Sequence, residues 1–142
     1  MRALIIGDET IGCRAYPLDA GVERLLEDHR RLSRDRRFVI NKLDELYGRI
    51  GFTHVVCGDD EGAAKLGIEW AQSRDVPVIV VKSRRRLFRR EALGQRNDRM
   101  LGRTDLDTCV GFGHGAETIR ALQKATRRGL EALHFEMELQ TQ

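Results

Sequence analysis

The chain has 142 residues, 41% of them hydrophobic and 33% charged. That suits one domain with a buried core and excludes collagen-like, disulfide-dominated and fully disordered classes. No apolar run approaches the roughly 20 residues of a membrane-spanning helix, and 25 Lys+Arg against 22 Asp+Glu leave a net charge of +3, too mild to argue for nucleic acid by itself.

The opening Met1-Arg2-Ala3-Leu4-Ile5-Ile6-Gly7 is too short an apolar run for a signal peptide, so a cytoplasmic protein without membrane contact is expected. Cys13, Cys57 and Cys109 are widely spaced and form no CxxC pattern, which reads as reduced thiols with neither a disulfide framework nor a metal site.

In chain order, Ala3–Ile6 is a short buried strand that turns at Gly7-Asp8. From Asp19 the period becomes helical, with Val22, Leu25, Leu26 and His29 on one face. Charge dominates through Arg37, and Ser33–Arg37 is expected to break the segment into two helices. Val39, Leu43, Leu46 and Ile50 resume the helical spacing, with Gly48 or Gly51 able to end it. Thr53–Cys57 is a second strand, closed by Gly58-Asp59-Asp60. Ala63, Leu66, Gly67 and Trp70 then share a helical face, which marks Trp70 as core. Val76–Val81 is a β-branched third strand with Pro77 at its start. A basic stretch follows: Lys82, Arg84, Arg85, Arg86, Arg89 and Arg90. The polar run from Leu93 to Leu101 is expected to precede a helix. Thr108–Phe112 is a fourth strand, followed by Gly113-His114-Gly115 and a helix with Ile119, Leu122 and Thr126 on one face. Leu133, Phe135, Met137 and Leu139 alternate with polar residues, the pattern of an edge strand or a short terminal helix. Strand and helix in alternation imply an α/β, Rossmann-like three-layer domain over 1–142, with a parallel sheet of four to five strands.

Ligands of such sheets bind at the carboxyl ends of the strands. Three strands end in glycine there: Gly7-Asp8, Gly58-Asp59-Asp60-Glu61-Gly62 and Gly113-His114-Gly115. Glycine permits close backbone approach, and the helix N-terminus behind each loop suits an anion. The three carboxylates after Gly58 repel phosphate. Capping of the next helix is their expected role, with ribose hydroxyls or a divalent cation as alternatives. Arg96 can hold a phosphate bidentately, with Asn97 beside it. The bland partners for Arg96 are Asp98 or Asp105 at the surface. His114, in a glycine loop at a strand end, is the best-placed histidine.

These motifs, in this order, resemble the YspA-like family of the SLOG superfamily, Rossmann-like domains related to the LOG phosphoribohydrolases. Leu4-Ile5-Ile6-Gly7 resembles the opening strand. Val55–Ala71, with Glu69-Trp70-Ala71, resembles the second strand, loop and helix. Gly94-Gln95-Arg96-Asn97-Asp98-Arg99-Met100 resembles Gly-x-x-Arg-Asn-x-x-Met, and Phe112–Thr118 the fourth loop. Three positions depart from the family: Asp8-Glu9-Thr10 stands where an arginine is usual, Gly62-Ala63-Ala64 where Gly-Ala-Asp is usual, and Gly115-Ala116 where Gly-Thr is usual.

The resemblance implies a nucleotide or nucleotide-derived, phosphate-bearing ligand, held by a sensor or regulatory module. The residues assigned to it are Gly7, Asp8, Gly58, Asp59, Gly62, Arg96, Asn97, Gly113, His114 and Gly115. No separate cofactor is implied, and a homo-oligomer is compatible. One rival is a LOG-like nucleotide N-glycosidase with Glu117 as the catalytic carboxylate. Another is nucleic-acid binding through Arg84–Arg90, which lacks interleaved aromatics beyond Phe88 and is the weaker of the two.

Overall fold

The computed structural model describes residues 2–82, 89–103 and 105–137, with the side chains of 89–94 outside the description. Five strands alternate with four helices: β1 (Arg2–Gly7), α1 (Val22–Ile50), β2 (His54–Gly58), α2 (Gly62–Ser73), β3 (Val78–Val81), α3 (Arg89–Leu101), β4 (Thr108–Phe112), α4 (Ala116–Arg127) and β5 (Glu131–Phe135). Every pairing is parallel, and the spatial order is β3-β2-β1-β4-β5. β1 lies in the middle, with Leu4 opposite Val56 on one side and Cys109 on the other.

Period-two geometry sorts the strands onto two faces. Ala3, Ile5, Val55, Cys57 and Val110 pack with Val39 and Leu43 of α1 and Trp70 of α2. Leu4, Ile6, Val56 and Cys109 pack with Met100 and Leu101 of α3 and Leu122 of α4. This is the expected three-layer Rossmann-like arrangement, with both faces of the sheet covered by helices. Trp70 is fully buried, as expected, and its indole N–H donates to Asp44 Oδ1 at 2.8 Å. Among the described residues no helix is long and apolar enough to cross a membrane.

Several local expectations need correction. The chain does not break at Ser33–Arg37; α1 is one helix of 29 residues. No proline or glycine interrupts it before Gly48, and Arg31 pairs with Asp28 and Asp35 at helical spacing, so the charged run is a solvated helix surface. It ends at Gly51, whose positive φ of 66° lets its N–H reach Tyr47 O at 3.0 Å. In the first half of α1 the apolar face is not a core face: Val22 is 73% exposed and Leu26 48%. The buried residue there is Asp28, which accepts the N–H groups of Ala15 and Tyr16 and ties the β1–α1 loop to the helix.

Arg96 and Asn97 lie within α3 and not ahead of a helix, because Gly94 is tolerated there and Arg96, Asn97 and Met100 share its buried side. The buried face of α4 runs through Thr118, Ala121, Leu122 and Ala125; Thr126 is exposed. The C-terminal alternation resolves as a strand, with β5 pairing parallel to β4 and Leu133 and Phe135 packed on the core. Leu139 lies outside the described residues.

Candidate functional site

From β1 the chain winds outward to β2 and β3 on one side, then returns past β1 to β4 and β5 on the other. The neighbouring carboxyl ends of β1 and β4 are therefore the switch point of the sheet, where connections diverge and leave a crevice. A cleft of about 300 Å³ opens there, lined by Gly7, Asp8, Asp60, Arg96, Asn97 and Glu117 among others.

Asp8 spans the switch point. Its N–H donates to Phe112 O at 2.9 Å. Its carboxylate accepts the N–H of His114 at 3.1 Å, the N–H of Gly115 at 2.9 Å and the hydroxyl of Thr118 at 2.8 Å. These donors belong to the loop after β4 and the first turn of α4. The N-cap of α4 is Gly115, which has no side chain to offer, so Asp8 caps this helix from another strand. Gly113, at φ +97°, and Gly115 make room for it: a Cβ on Gly113 would lie 2.4 Å from Asp8 Cγ. The Asp8 carbonyl also accepts the Ala63 N–H at 3.2 Å at the start of α2.

Arg96 reaches from α3 across the end of β2. Its Nη1 lies 2.8 Å from Asp60 Oδ1 and 3.2 Å from Asp59 Oδ1, and its Nη2 donates to Asn97 Oδ1 at 3.0 Å. The group is inside the protein: Arg96 is 4% exposed, and the Asp60 side chain 5%. Gly58 permits this, because a Cβ there would lie 2.5 Å from Arg96 Cζ. Burial pushes the Asp60 carboxyl up from the ordinary carboxylate range, with the Arg96 charge opposing. The 2.8 Å contact is an ion pair and is not aligned as a hydrogen bond; Asp60 Oδ1 and Arg96 Nε are both shielded from solvent and make no hydrogen bond.

Of the expected site residues, Gly7, Asp8, Arg96, Asn97, Gly115 and Glu117 line the cleft. Gly58, Asp59, Gly62, Gly113 and His114 stand behind or beside it. Gly62 lies under the Asp8-Glu9 backbone, where a Cβ would meet Asp8 O at 2.1 Å. His114 is exposed and contributes its backbone N–H. Glu117 pairs with Arg120 at 3.1 Å and stays partly exposed.

Two expectations are corrected here. The carboxylates after Gly58 do not cap α2 through its N-cap Glu61, which makes no side-chain cap bond; Asp59 and Asp60 take up Arg96 because a buried guanidinium needs counter-charge. Arg96 is likewise no surface residue paired with Asp98 or Asp105: Asp98 pairs with Lys124 and Asp105 with Arg103. Sequence reasoning left Thr118, Glu9 and Asp60 out of the site residues. The signal for Thr118 was available, since it stands four residues before Leu122 on the inward face of α4.

Among the described residues the cleft lining holds four carboxylates, Asp8, Glu9, Asp60 and Glu117, and one guanidinium, Arg96. Among the described residues no group of three or more His, Cys, Asp and Glu is placed to hold a metal ion. Arg84, Arg85 and Arg86 lie outside the described residues, as do the side chains of Arg89 and Arg90. No protein-family model, no curated protein and no solved structure matches the chain significantly.

Proposed function

We propose that the switch-point cleft binds a nucleotide-derived small molecule, and that the protein is a sensor or regulatory module of the YspA-like, SLOG kind. One observation carries the reading: the cleft at the switch point is walled by the nearly buried Arg96–Asp60 ion pair together with the polar side chains of Asn97 and Thr118, all gathered at the carboxyl ends of the strands. A sugar hydroxyl both accepts and donates, and so does the edge of a nucleobase, which suits a wall that mixes carboxylates, an amide and a hydroxyl. A cleft of about 300 Å³ stands at the lower end of small-molecule sites.

Thermal melting read from the single Trp70, with a panel of nucleosides, nucleotides and their derivatives, tests the reading. A ligand at 100 times its Kd stabilises the folded state by about 2.7 kcal/mol. The expected result is stabilisation by at least one such compound. That gain should vanish in Ala116→Phe, which fills the exposed mouth of the cleft and leaves the Arg96–Asp60 pair alone. No shift with any compound refutes the reading.

Glu117 favours one second reading. It is a partly exposed carboxylate on the cleft wall, the group an N-glycosidase needs beside a developing oxocarbenium ion. Release of free base from a bound nucleotide, lost in Glu117→Gln, distinguishes hydrolysis from binding alone.

A further inference from the structure

A glycine loop leading into a helix N-terminus presents converging N–H groups and the positive end of the helix dipole, a ready place for an anion. In this chain the place is taken. The Asp8 carboxylate holds the N–H groups of His114 and Gly115 and the Thr118 hydroxyl at 2.8–3.1 Å. Its carbonyl also covers the first turn of α2 by accepting from Ala63. The fit is steric as well as electrostatic, since a Cβ on Gly113 would lie 2.4 Å, and one on Gly115 2.8 Å, from the Asp8 carboxylate.

The guanidinium that lines the cleft among the described residues is also engaged. Arg96 faces Asp59 and Asp60, and Asp60 is itself nearly buried in the cleft wall. A phosphate entering the nest would displace Asp8 from three hydrogen bonds, and in the cleft it would meet more carboxylates than cations among the described residues. A neutral or cationic ligand meets no such barrier, and the carboxylates of the lining can accept from its hydroxyls.

We infer that Asp8 is a built-in occupant of the anion nest at α4 and sets the ligand class: an uncharged or cationic nucleoside-like molecule with free hydroxyls, and not its phosphate ester. The nucleoside part of this statement rests on the proposed function. The exclusion of phosphate from the nest stands on the Asp8 contacts by themselves.

Two measurements on the full chain test it. In the first, inorganic phosphate is titrated into labelled protein while the backbone amide resonances of His114 and Gly115 are followed. The wild-type amides should not move. In Asp8→Gly, which vacates the nest and keeps the backbone bond to Phe112, they should move saturably, with affinity at least about tenfold higher. Movement in the wild type overturns the inference, and so does a folded Asp8→Gly that stays blind to phosphate.

The second measurement needs no variant. Wild-type affinities for nucleosides and for their 5′-monophosphates are compared, and the monophosphate is expected to bind at least about tenfold more weakly. Equal or tighter binding of the monophosphate overturns the inference. If neither class binds, the proposed function fails, while the phosphate titration still decides whether Asp8 closes the nest.

Discussion

Arg96→Met leaves the apolar stem of the side chain and removes the guanidinium that faces Asp60 at 2.8 Å. Asp60 then sits 5% exposed without its main counter-charge, and the cheapest response is to take up a proton. A carboxyl of ordinary pKa 3.8 held neutral at pH 7 costs about 4 kcal/mol, at about 1.4 kcal/mol per pH unit, and at pH 5 the cost falls to about 2 kcal/mol. The same size of loss, about 3–5 kcal/mol, is typical when one partner of a buried pair is removed. The sign follows from linkage. In the variant the folded state binds a proton that the unfolded state releases above pH 3.8, so stability relative to wild type rises as pH falls from 7 to 5. Urea unfolding followed by Trp70 fluorescence at both pH values measures it. The loss should shrink by about 2–3 kcal/mol between them, and Arg96→Met with Asp60→Asn should recover at least half of it. A loss that does not change with pH, or one below about 1 kcal/mol at pH 7, refutes the buried-pair account.

Asp105 and Asp107 are held down to about 2 by hydrogen bonds from Arg103 and Arg2 respectively. Depressed carboxylates stabilise the fold above their unfolded value of 3.8 and lose that contribution as pH falls toward 2. Urea midpoints should therefore drop over this window, and less steeply in Asp107→Asn or at high salt; a variant with an unchanged acid limb contradicts the assignment. Gly58→Ala places a methyl 2.5 Å from Arg96 Cζ and should cost about 1–3 kcal/mol. Most of that cost should disappear in the Arg96→Met background, because the two changes share one contact, whereas additive losses would place the strain elsewhere. All three cysteines are free. Burial pushes the Cys57 thiol up and Cys109 up to about 12, so a thiol reagent should label only Cys13 in the native protein and all three after denaturation. Fast native labelling of Cys57 would contradict its burial.

The strands were legible because each is a short apolar run closed by glycine or a charge, and their parallel order followed from the helical segments between them. The mistakes lie where charge and apolar pattern give conflicting signals. In the first half of α1 the apolar residues Val22 and Leu26 face solvent, while Asp28 is buried by three hydrogen bonds. Hydrophobic periodicity cannot show this, because two of the donors are backbone N–H groups of a loop that precedes the helix and the third is the Arg31 guanidinium. Arg96 was misplaced for a related reason. Its polar run reads as a linker, and only the approach of α3 to the end of β2 turns Arg96 and Asn97 into part of an inward face.

A glycine at a strand end says that something comes close to the backbone; it does not say what. Gly58, Gly113 and Gly115 suggested a cleft for an external ligand, and each instead admits a side chain of the protein itself, Arg96 or Asp8. The neighbouring charge decides between an internal and an external occupant. β1 is central and adjacent to β4, so the residue just past Gly7 must project beside the loop that begins at Gly113. A carboxylate at that position can reach the N–H groups of the loop without any ligand, at no translational entropy cost. An aspartate just past the central strand, next to a glycine loop on the adjacent strand, therefore argues for a self-occupied nest. The same sequence with a neutral residue at position 8 would leave the nest to the ligand.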